Sequence, residues 1–220
     1  MKIVRFILIA QLLNACIEKD SINELSFEAP QPEGQDDEKS IPQKLIGAYL
    51  SLSDSSLLTI TTTTIINSHQ ITETRLFSKM DSADRVVSKH DTTYSGELFK
   101  SKIHIIVRGD SVFEKMSYSD TLFNFLRGDI LRKLNGYHFI NRQVTPNHWT
   151  VKKLDATRKG LTIGLVTSME ELNALREITN AKNDSVYTFR PTRKQWRKFL
   201  KEKGFQNEER YVKIKERIFK

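Results

Sequence analysis

Cysteine is nearly absent from this 220-residue sequence, and its scarcity excludes several kinds of chemistry. Cys16 is the single cysteine, so no disulfide can form within the chain and no thiolate cluster can hold a metal ion. The 9 glycines do not form the phosphate-binding loop or the Gly-x-Ser-x-Gly turn of a serine hydrolase. The sequence therefore predicts neither thiol catalysis nor these two glycine-dependent sites.

The five histidines lack the spacing that most directly indicates a zinc site. No two of them lie four residues apart, the interval that brings two imidazoles to one face of a helix. His138 and His148 could converge across a pair of strands, with Asp129 or Asp155 as a carboxylate partner. That arrangement is the basis of one alternative function, an envelope hydrolase, although no carboxylate pair indicates an acid–base dyad.

The N-terminus has the layout of a secretory signal. Lys2 and Arg5 supply positive charge, and residues 3–13 are apolar apart from Arg5 and Gln11. A helix needs roughly 20 apolar residues to span a bilayer, so this run is too short for a permanent transmembrane segment. Residues 1–15 are therefore predicted to be a signal peptide.

The residues at the end of the apolar run are more specific. Leu13, Asn14, Ala15 and Cys16 resemble the bacterial lipobox, in which a small residue precedes a lipid-modified cysteine. The resemblance implies cleavage between Ala15 and Cys16, diacylglycerol on the Cys16 thiol and acylation of the new amino group. Two or three acyl chains on one residue are enough for stable membrane attachment. Ile17 replaces the Asp that favours inner-membrane retention, so the outer membrane is expected, with periplasmic or surface exposure left open.

Residues 16–43 are predicted to be a lipidated N-terminus followed by a flexible acidic tether. The segment contains Pro30, Pro32 and Pro42, an acidic run at residues 36–38 and few large apolar side chains. Such a composition buries too little apolar surface to offset the entropy lost on ordering. Its expected role is to hold the folded domain away from the bilayer.

Residues 44–220 are predicted to form one globular domain that is mainly β with α additions. Short runs rich in β-branched and aromatic residues recur at intervals of about 8 to 12 residues, separated by turn residues. Asn135 and Gly136 give the strongest hairpin signal, because both residues tolerate the positive φ of a type I′ turn. The predicted fold is an antiparallel meander that closes into a barrel or a sandwich, with two helices near the C-terminus.

Three stretches of this domain have less regular patterns. Residues 57–66, which are rich in threonine and isoleucine, are predicted to be one strand. Residues 112–118 and 122–126 are predicted to be separate strands, because a turn-forming Ser-Asp pair lies between them. Residues 67–101 fit a hairpin with a long loop.

Two helices are predicted over residues 169–179 and 193–203. Each follows a capping-box pattern, in which a hydroxyl side chain and a Glu or Gln three residues later satisfy free amides. Apolar residues then recur every three to four positions, as one buried face of a helix requires. The capping pairs are Ser168 with Glu171 and Thr192 with Gln195.

Residues 190–220 are strongly basic, with twelve Lys or Arg and four Glu. In an exported lipoprotein, this balance favours an anionic lipid, lipopolysaccharide or an acidic protein partner over nucleic acid. The alternative is a solvated helix face whose aromatic residues pack on the sheet. The candidate binding surface consists of Arg193, Lys194, Trp196, Arg197 and Lys201.

The chain as a whole resembles the small lipoproteins of Bacteroidota-type bacteria, which combine a lipobox, an acidic tether and a β-rich domain of lipocalin-like type. The expected function is that of a non-enzymatic binding or envelope-accessory lipoprotein, with no cofactor or metal. One alternative is an immunity-type or inhibitor lipoprotein that binds a protein partner. A hollow barrel would favour a carrier of a small apolar ligand, whereas a filled interior would argue against one.

Overall fold

The structure is a computed structural model. The predicted signal peptide lies outside the residues that it describes, as do Ala15 and Cys16 of the predicted lipobox. No helix in the described part of the chain is long and apolar enough to cross a membrane. The described residues are 25–80, 92–95, 102–158, 160–181, 187–202 and 204–214.

Most of the described chain is β-strand, and the strands join in one sheet. The helices are α1, Met169–Thr179, and α2, Arg193–Glu202. Short 3-10 turns at Gln43–Leu45, Phe77–Lys79 and Phe125–Arg127 connect some of the strands. The strands are β1 Ser26–Phe27, β2 Gly47–Ser51, β3 Leu57–Ile60, β4 Thr64–Leu76, β5 Thr92–Ser95, β6 Lys102–Arg108, β7 Ser111–Asn124, β8 Ile130–Leu134, β9 Tyr137–Thr145, β10 His148–Ala156, β11 Gly160–Leu165, β12 Thr188–Phe189 and β13 Asn207–Lys213.

Paired strands in the sheet are antiparallel, apart from the parallel pair β1 and β12. From one edge the order is β8, β9, β10, β11, β13, β2, β3, β4, β7, β6 and β5. β1 and β11 both pair with the same edge of β10. The pairing of β1 is through Phe27 and Trp149. The predicted mainly β fold with C-terminal helices is confirmed, and the hydrogen-bonded path along the described strands does not close into a ring.

The sheet curls around a filled interior, the inner core. Side chains that alternate along each strand point into it, such as Ile140 on β9 and Leu154 on β10. Among the described residues, these inward side chains pack the barrel-like interior. The buried members are Ile41, Leu45, Tyr49, Leu58, Ile60, Ile65, Phe123, Leu131, Ile140, Leu154, Leu161, Ile163 and Tyr211.

A second hydrophobic cluster, the outer core, lies between the opposite face of the sheet and the two helices. Phe139 and Val151 enter it because they alternate with the inward residues of β9 and β10. Trp196 of α2 is at its centre, with ring centroids 5.3 Å from Phe27 and 5.6 Å from Phe139. The buried members are Phe27, Leu134, Phe139, Val151, Leu172, Leu175, Ile178, Phe189, Trp196, Phe199 and Phe205.

The predicted flexible tether is wrong for residues 25–43, which pack on the domain. Gln31 is fully buried and donates its backbone N–H to Asn141 Oδ1 at 2.6 Å. In the acidic run, Asp37 Oδ1 accepts a hydrogen bond from Arg132 Nε at 2.7 Å. The segment has few apolar residues of its own, but strands distant in sequence supply partners for its polar groups. The composition rule fails because it counts only what the segment itself can bury.

One turn prediction is confirmed in detail. Asn135 and Gly136 have φ angles of 53° and 90°, and they join β8 to β9 as a two-residue hairpin. Asn147, with φ of 62°, lies in the turn between β9 and β10. Asparagine and glycine tolerate this left-handed conformation, which is why the turns could be identified from residue type.

Two predicted strand boundaries are wrong. Residues 57–66 form two strands, because Thr61 Oγ1 accepts hydrogen bonds from the backbone N–H groups of Thr63 and Thr64 and closes a turn. Residues 112–126 do not divide at their Ser-Asp pair, since β7 continues through it in register with β4. Local turn chemistry decided the first case and overruled a β-rich composition, while long-range pairing decided the second.

Both predicted helices are confirmed. At α1, Ser168 Oγ accepts from the backbone N–H of Glu171 at 3.1 Å, and Glu171 Oε2 accepts from that of Ser168 at 3.1 Å. At the start of α2, Gln195 Oε1 accepts from the backbone N–H of Thr192 at 2.8 Å. The described part of α2 reaches Glu202, and residue 203 of the predicted helix lies outside the described residues. The starts were predictable because capping boxes are local interactions.

Candidate binding groove

A groove opens in the sheet where β11 separates from β10. Residues 153–156 of β10 pair with β11, and Trp149 pairs with β1. Residues 150–152 therefore lie between these two partners, with the N-terminal segment and residues 165–167 bordering the opening. Its volume is about 670 Å³, a size suited to a small molecule or a few residues of a peptide.

The groove combines apolar walls with two cations. Val144 and Leu165 are 51% and 38% exposed, so they present apolar surface to solvent. Arg142 on β9 and Lys152 on β10 share the inward face of the hairpin with Ile140. The same alternation of side chains that fills the inner core thus places Arg142 and Lys152 in the groove, near the open end of the groove. Other apolar lining residues are Leu25, Leu122, Val151 and Val166.

Lys152 is a partly buried cation in this groove. Burial lowers the pKa of its ammonium group most strongly, the carboxylates of Asp120 and Glu209 oppose that shift, and Arg142 adds to it. Among the described residues, no ion pair or side-chain hydrogen bond involves its ammonium. A partly desolvated ammonium without a bonded anion is unfavourable, so this position suits an anionic group.

A polar cluster surrounds the carboxylate of Glu209 on β13, next to the inner core. Ser51 Oγ and Ser53 Oγ donate to Glu209 Oε1 at 2.8 Å and 3.3 Å. Burial raises the pKa of the Tyr211 hydroxyl well above its usual range, with a hydrogen bond to Glu209 and its negative charge adding to the shift. The Glu209 carboxylate is therefore engaged by hydroxyl groups of the fold and is poorly placed to act as a general base.

His69 and Asp54 form a second polar pair, with 3.4 Å between Nδ1 and Oδ2. Burial raises the pKa of the Asp54 carboxyl, but hydrogen bonds from Ser56 and Ser51 and the His69 charge outweigh it and lower the pKa. His69 Nε2 lies 3.1 Å from Asn67 Nδ2. The Asn67 amide lies next to Nε2, where a nucleophile would have to lie. The pair therefore does not have the geometry that activates a nucleophile.

His138 and His148 do not converge, so the two-histidine site predicted for a hydrolase is wrong. His138 pairs with Leu154 and is 1% exposed, whereas His148 pairs with Thr145 at the other end of the hairpin. Leu154, the partner of His138, lies six positions after His148 along β10, a distance of roughly 20 Å. The described residues contain no group of three or more His, Asp or Glu side chains that could hold a metal ion.

The five residues of the predicted basic surface do not all lie on the surface of the domain. Trp196 is 0% exposed and belongs to the outer core, so its assignment to a binding surface is wrong. Arg193, Lys194, Arg197 and Lys201 are exposed on α2. An amphipathic helix turns its apolar residues toward the sheet and its cations toward solvent, which separates a tryptophan from cations adjacent to it in sequence.

Arg142 and Lys152 are groove residues that sequence analysis did not identify. Arg142 lies two positions after Ile140, and Lys152 lies two positions before Leu154, so both occupy inward positions of alternating strands. A cation at an inward position is the signal that could have identified them. No protein-family model, curated protein sequence or solved structure matches the chain significantly, so function rests on these residues.

Proposed function

We propose that this protein is an exported lipoprotein of the bacterial outer membrane whose folded domain is a non-enzymatic binding module. The charged start, the short apolar run and the lipobox ending at Cys16 support export and lipid attachment. Two or three acyl chains on Cys16 would hold the domain at the membrane. The ligand of the domain binds in the groove between β10 and β11.

Lys152 is the observation that carries the binding function. Its ammonium is partly withdrawn from water, lies in a largely apolar groove and has no bonded anion among the described residues. Asp120 and Glu209 act on it from beyond ion-pair distance, and Glu209 is engaged by Ser51. A ligand with an acidic group would supply the missing partner, and such charge-assisted bonds are strong in a partly desolvated site.

The ligand class is an anionic amphiphile, with an acidic head group and a short apolar chain. Lys152 and Arg142 would bind the head group from adjacent strands. Val144 and Leu165 would cover the chain, which accounts for exposed apolar side chains at the edges of the groove. The filled inner core argues against a carrier that encloses its ligand, so the ligand would remain partly exposed.

Binding of two matched probes tests the groove. Decyl phosphate and decyl glucoside have the same chain, and only the first has an anionic head. We expect the mature Cys16→Ser protein to bind decyl phosphate in calorimetry below the concentration at which it forms micelles. Lys152→Gln should weaken this binding by about tenfold, since a charge-assisted bond contributes roughly 1.5–3 kcal/mol. Arg142→Gln should have a smaller effect, because Arg142 is more exposed.

Arg158→Gln is the matched control, because Arg158 is an exposed cation just beyond the end of β10. It should bind decyl phosphate as the parent does. Equal affinity of the parent for decyl phosphate and decyl glucoside would contradict recognition of an anion. Equal losses in Lys152→Gln and Arg158→Gln would contradict the assignment of the groove.

Lipid attachment is tested by Cys16→Ser in the native cell. The variant should carry no acyl chains in intact-mass analysis and should leave the membrane fraction. Ser lacks the thiol that accepts diacylglycerol, so no lipid can be attached. The fold of the described residues should be unaffected. A variant that fractionates with membranes as the parent does would contradict anchoring through Cys16.

A second candidate function is that of an immunity-type or inhibitor lipoprotein with a protein partner. The filled inner core favours it, because a packed domain offers a rigid surface rather than an interior cavity. A photo-crosslinking residue in place of Val144, which is 51% exposed at the groove, distinguishes the two functions in cells. A crosslinked protein would favour the second candidate, and a small acidic adduct would favour the first.

A further inference from the structure

Four cations of α2 form one continuous basic face. Lys194, Arg197, Lys198 and Lys201 have the i, i+3, i+4, i+7 spacing that places side chains on one side of a helix. All four are exposed, and none has an ion pair or a side-chain hydrogen bond among the described residues. Trp196 and Phe199 occupy the opposite side and are buried in the outer core.

The first described residues of the chain lie beside this helix. Ser26 of β1 pairs with Thr188 of β12, and β12 is followed after residues 190–192 by α2. The Phe27 ring contacts Trp196 with centroids 5.3 Å apart. Residues 25–27, the described residues nearest to Cys16 in sequence, therefore lie next to α2.

The distance from Leu25 to Cys16 is limited by the length of the chain between them. Cys16 and Leu25 are nine residues apart in sequence, a length that spans at most about 30 Å when fully extended. α2 itself is about 15 Å long, since ten helical residues rise about 1.5 Å each. With lipid on Cys16, the basic face would lie within reach of the bilayer surface.

We propose that the basic face of α2 docks on the anionic head groups of the bilayer that holds the Cys16 lipid, and so fixes the orientation of the domain. This inference rests on the proposed lipid attachment. Cations near an anionic bilayer surface each strengthen binding, and four on one helix face do so together. Glu170 and Glu177 of α1 and Glu202 of α2 line the cleft between the two helices, so these carboxylates do not interrupt the basic face.

Vesicle binding by the mature chain with Cys16→Ser tests the docking without any contribution from lipid on the protein. We expect binding to vesicles of phosphatidylcholine mixed with phosphatidylglycerol, no binding to phosphatidylcholine alone, and weakening by added salt. Replacing Lys194, Arg197, Lys198 and Lys201 together by Gln should reduce the affinity about 600-fold, since each cation contributes roughly fivefold.

The matched control replaces four exposed cations on other surfaces by Gln, which changes the net charge equally. It should keep its affinity within about threefold, because these cations lie outside the basic face. Melting temperatures should show that both fourfold variants are folded, since all eight side chains are exposed. The control residues are Lys79, Arg108, Lys133 and Arg158.

Equal losses in the two fourfold variants would overturn the proposal, because binding would then follow net charge alone. Absence of binding to the mixed vesicles would also overturn it and would make an acidic protein surface the occupant of the basic face. Neither result affects Cys16, whose lipid is absent from the experiment. Failure of the anchor would instead be seen in the cellular fractionation of Cys16→Ser.

Discussion

The inner core and the outer core share one sheet but gather their residues in different ways. Inner-core side chains come mainly from strands that are neighbours in the meander, such as Tyr49 and Leu58, which pair between β2 and β3. In the outer core, Phe27, Phe139 and Trp196 come from distant parts of the chain and meet as aromatic rings. A repeated local pattern therefore builds one core, while tertiary packing of both ends of the domain builds the other.

Trp196→Ala should separate the two cores most clearly. Removal of this fully buried ring should lower the free energy of unfolding by about 4 kcal/mol, because a large cavity replaces aromatic contacts. Residues 25–28 should also exchange amide hydrogens faster than the inner strands, since Phe27 loses its partner. Chemical denaturation and hydrogen exchange measure the two effects.

Phe123→Ala is the matched change in the inner core, because Phe123 is also fully buried. A loss of similar size is expected, about 4 kcal/mol, without selective exchange in residues 25–28. If Phe123→Ala released residues 25–28 as readily as Trp196→Ala, the two cores would act as one cooperative unit.

His138, at an inward position of β9, should make stability depend on pH. Burial lowers its pKa from 6.5 to about 4, and the positive charges of Lys44 and Lys133 add to the shift. Between these values the unfolded chain binds more protons than the folded chain, so the free energy of unfolding falls as pH drops from 6.5 toward 4. The loss should approach about 3 kcal/mol. Denaturation across this pH range measures it.

His138→Phe should remove most of this pH dependence, because phenylalanine does not titrate. His148→Phe serves as the control, since His148 is exposed and should leave the slope unchanged. An unaltered slope in His138→Phe would show that other groups cause the acid sensitivity.

Glu171→Ala should weaken the attachment of α1 to the sheet next to the outer core. The side chain is fully buried, with Oε1 accepting from the backbone N–H of Gln206 at 2.8 Å and Oε2 from that of Thr167 at 3.0 Å. Loss of both acceptors should lower the free energy of unfolding by about 2 kcal/mol. Glu177→Ala, at an exposed position of α1, should change it by less than about 0.5 kcal/mol in the same denaturation experiment.

Lys152→Met should have the smallest effect on stability and the opposite sign. A thioether avoids the cost of partly burying an ammonium, so the free energy of unfolding should rise by about 1 kcal/mol while decyl phosphate binding weakens as in Lys152→Gln. Lys79→Met, at an exposed position, should leave both quantities unchanged. A destabilised Lys152→Met would mean that Asp120 and Glu209 stabilise the cation more than burial penalises it.

Elements that depend on neighbouring residues were predictable in this chain. The starts of α1 and α2 followed from capping boxes, and the turn between β8 and β9 followed from Asn135 and Gly136. The groove was not predictable, because it depends on the point at which β11 stops pairing with β10. It also depends on Lys152, which the alternation of side chains along β10 places on the inward face. Strand pairing between segments far apart in sequence is not encoded in any short pattern.

The sequence by itself determined the mainly β character, the two helices and the expectation of a lipid on Cys16, because these depend on residue types at short spacing. Only the tertiary structure decided that residues 25–43 are packed, that Trp196 is buried and that Lys152 lies in a groove. A side chain's environment is set by the segments that pack around it. In this domain those segments come from both ends of the described chain, residues 25–43 and 187–214, and no local pattern relates them.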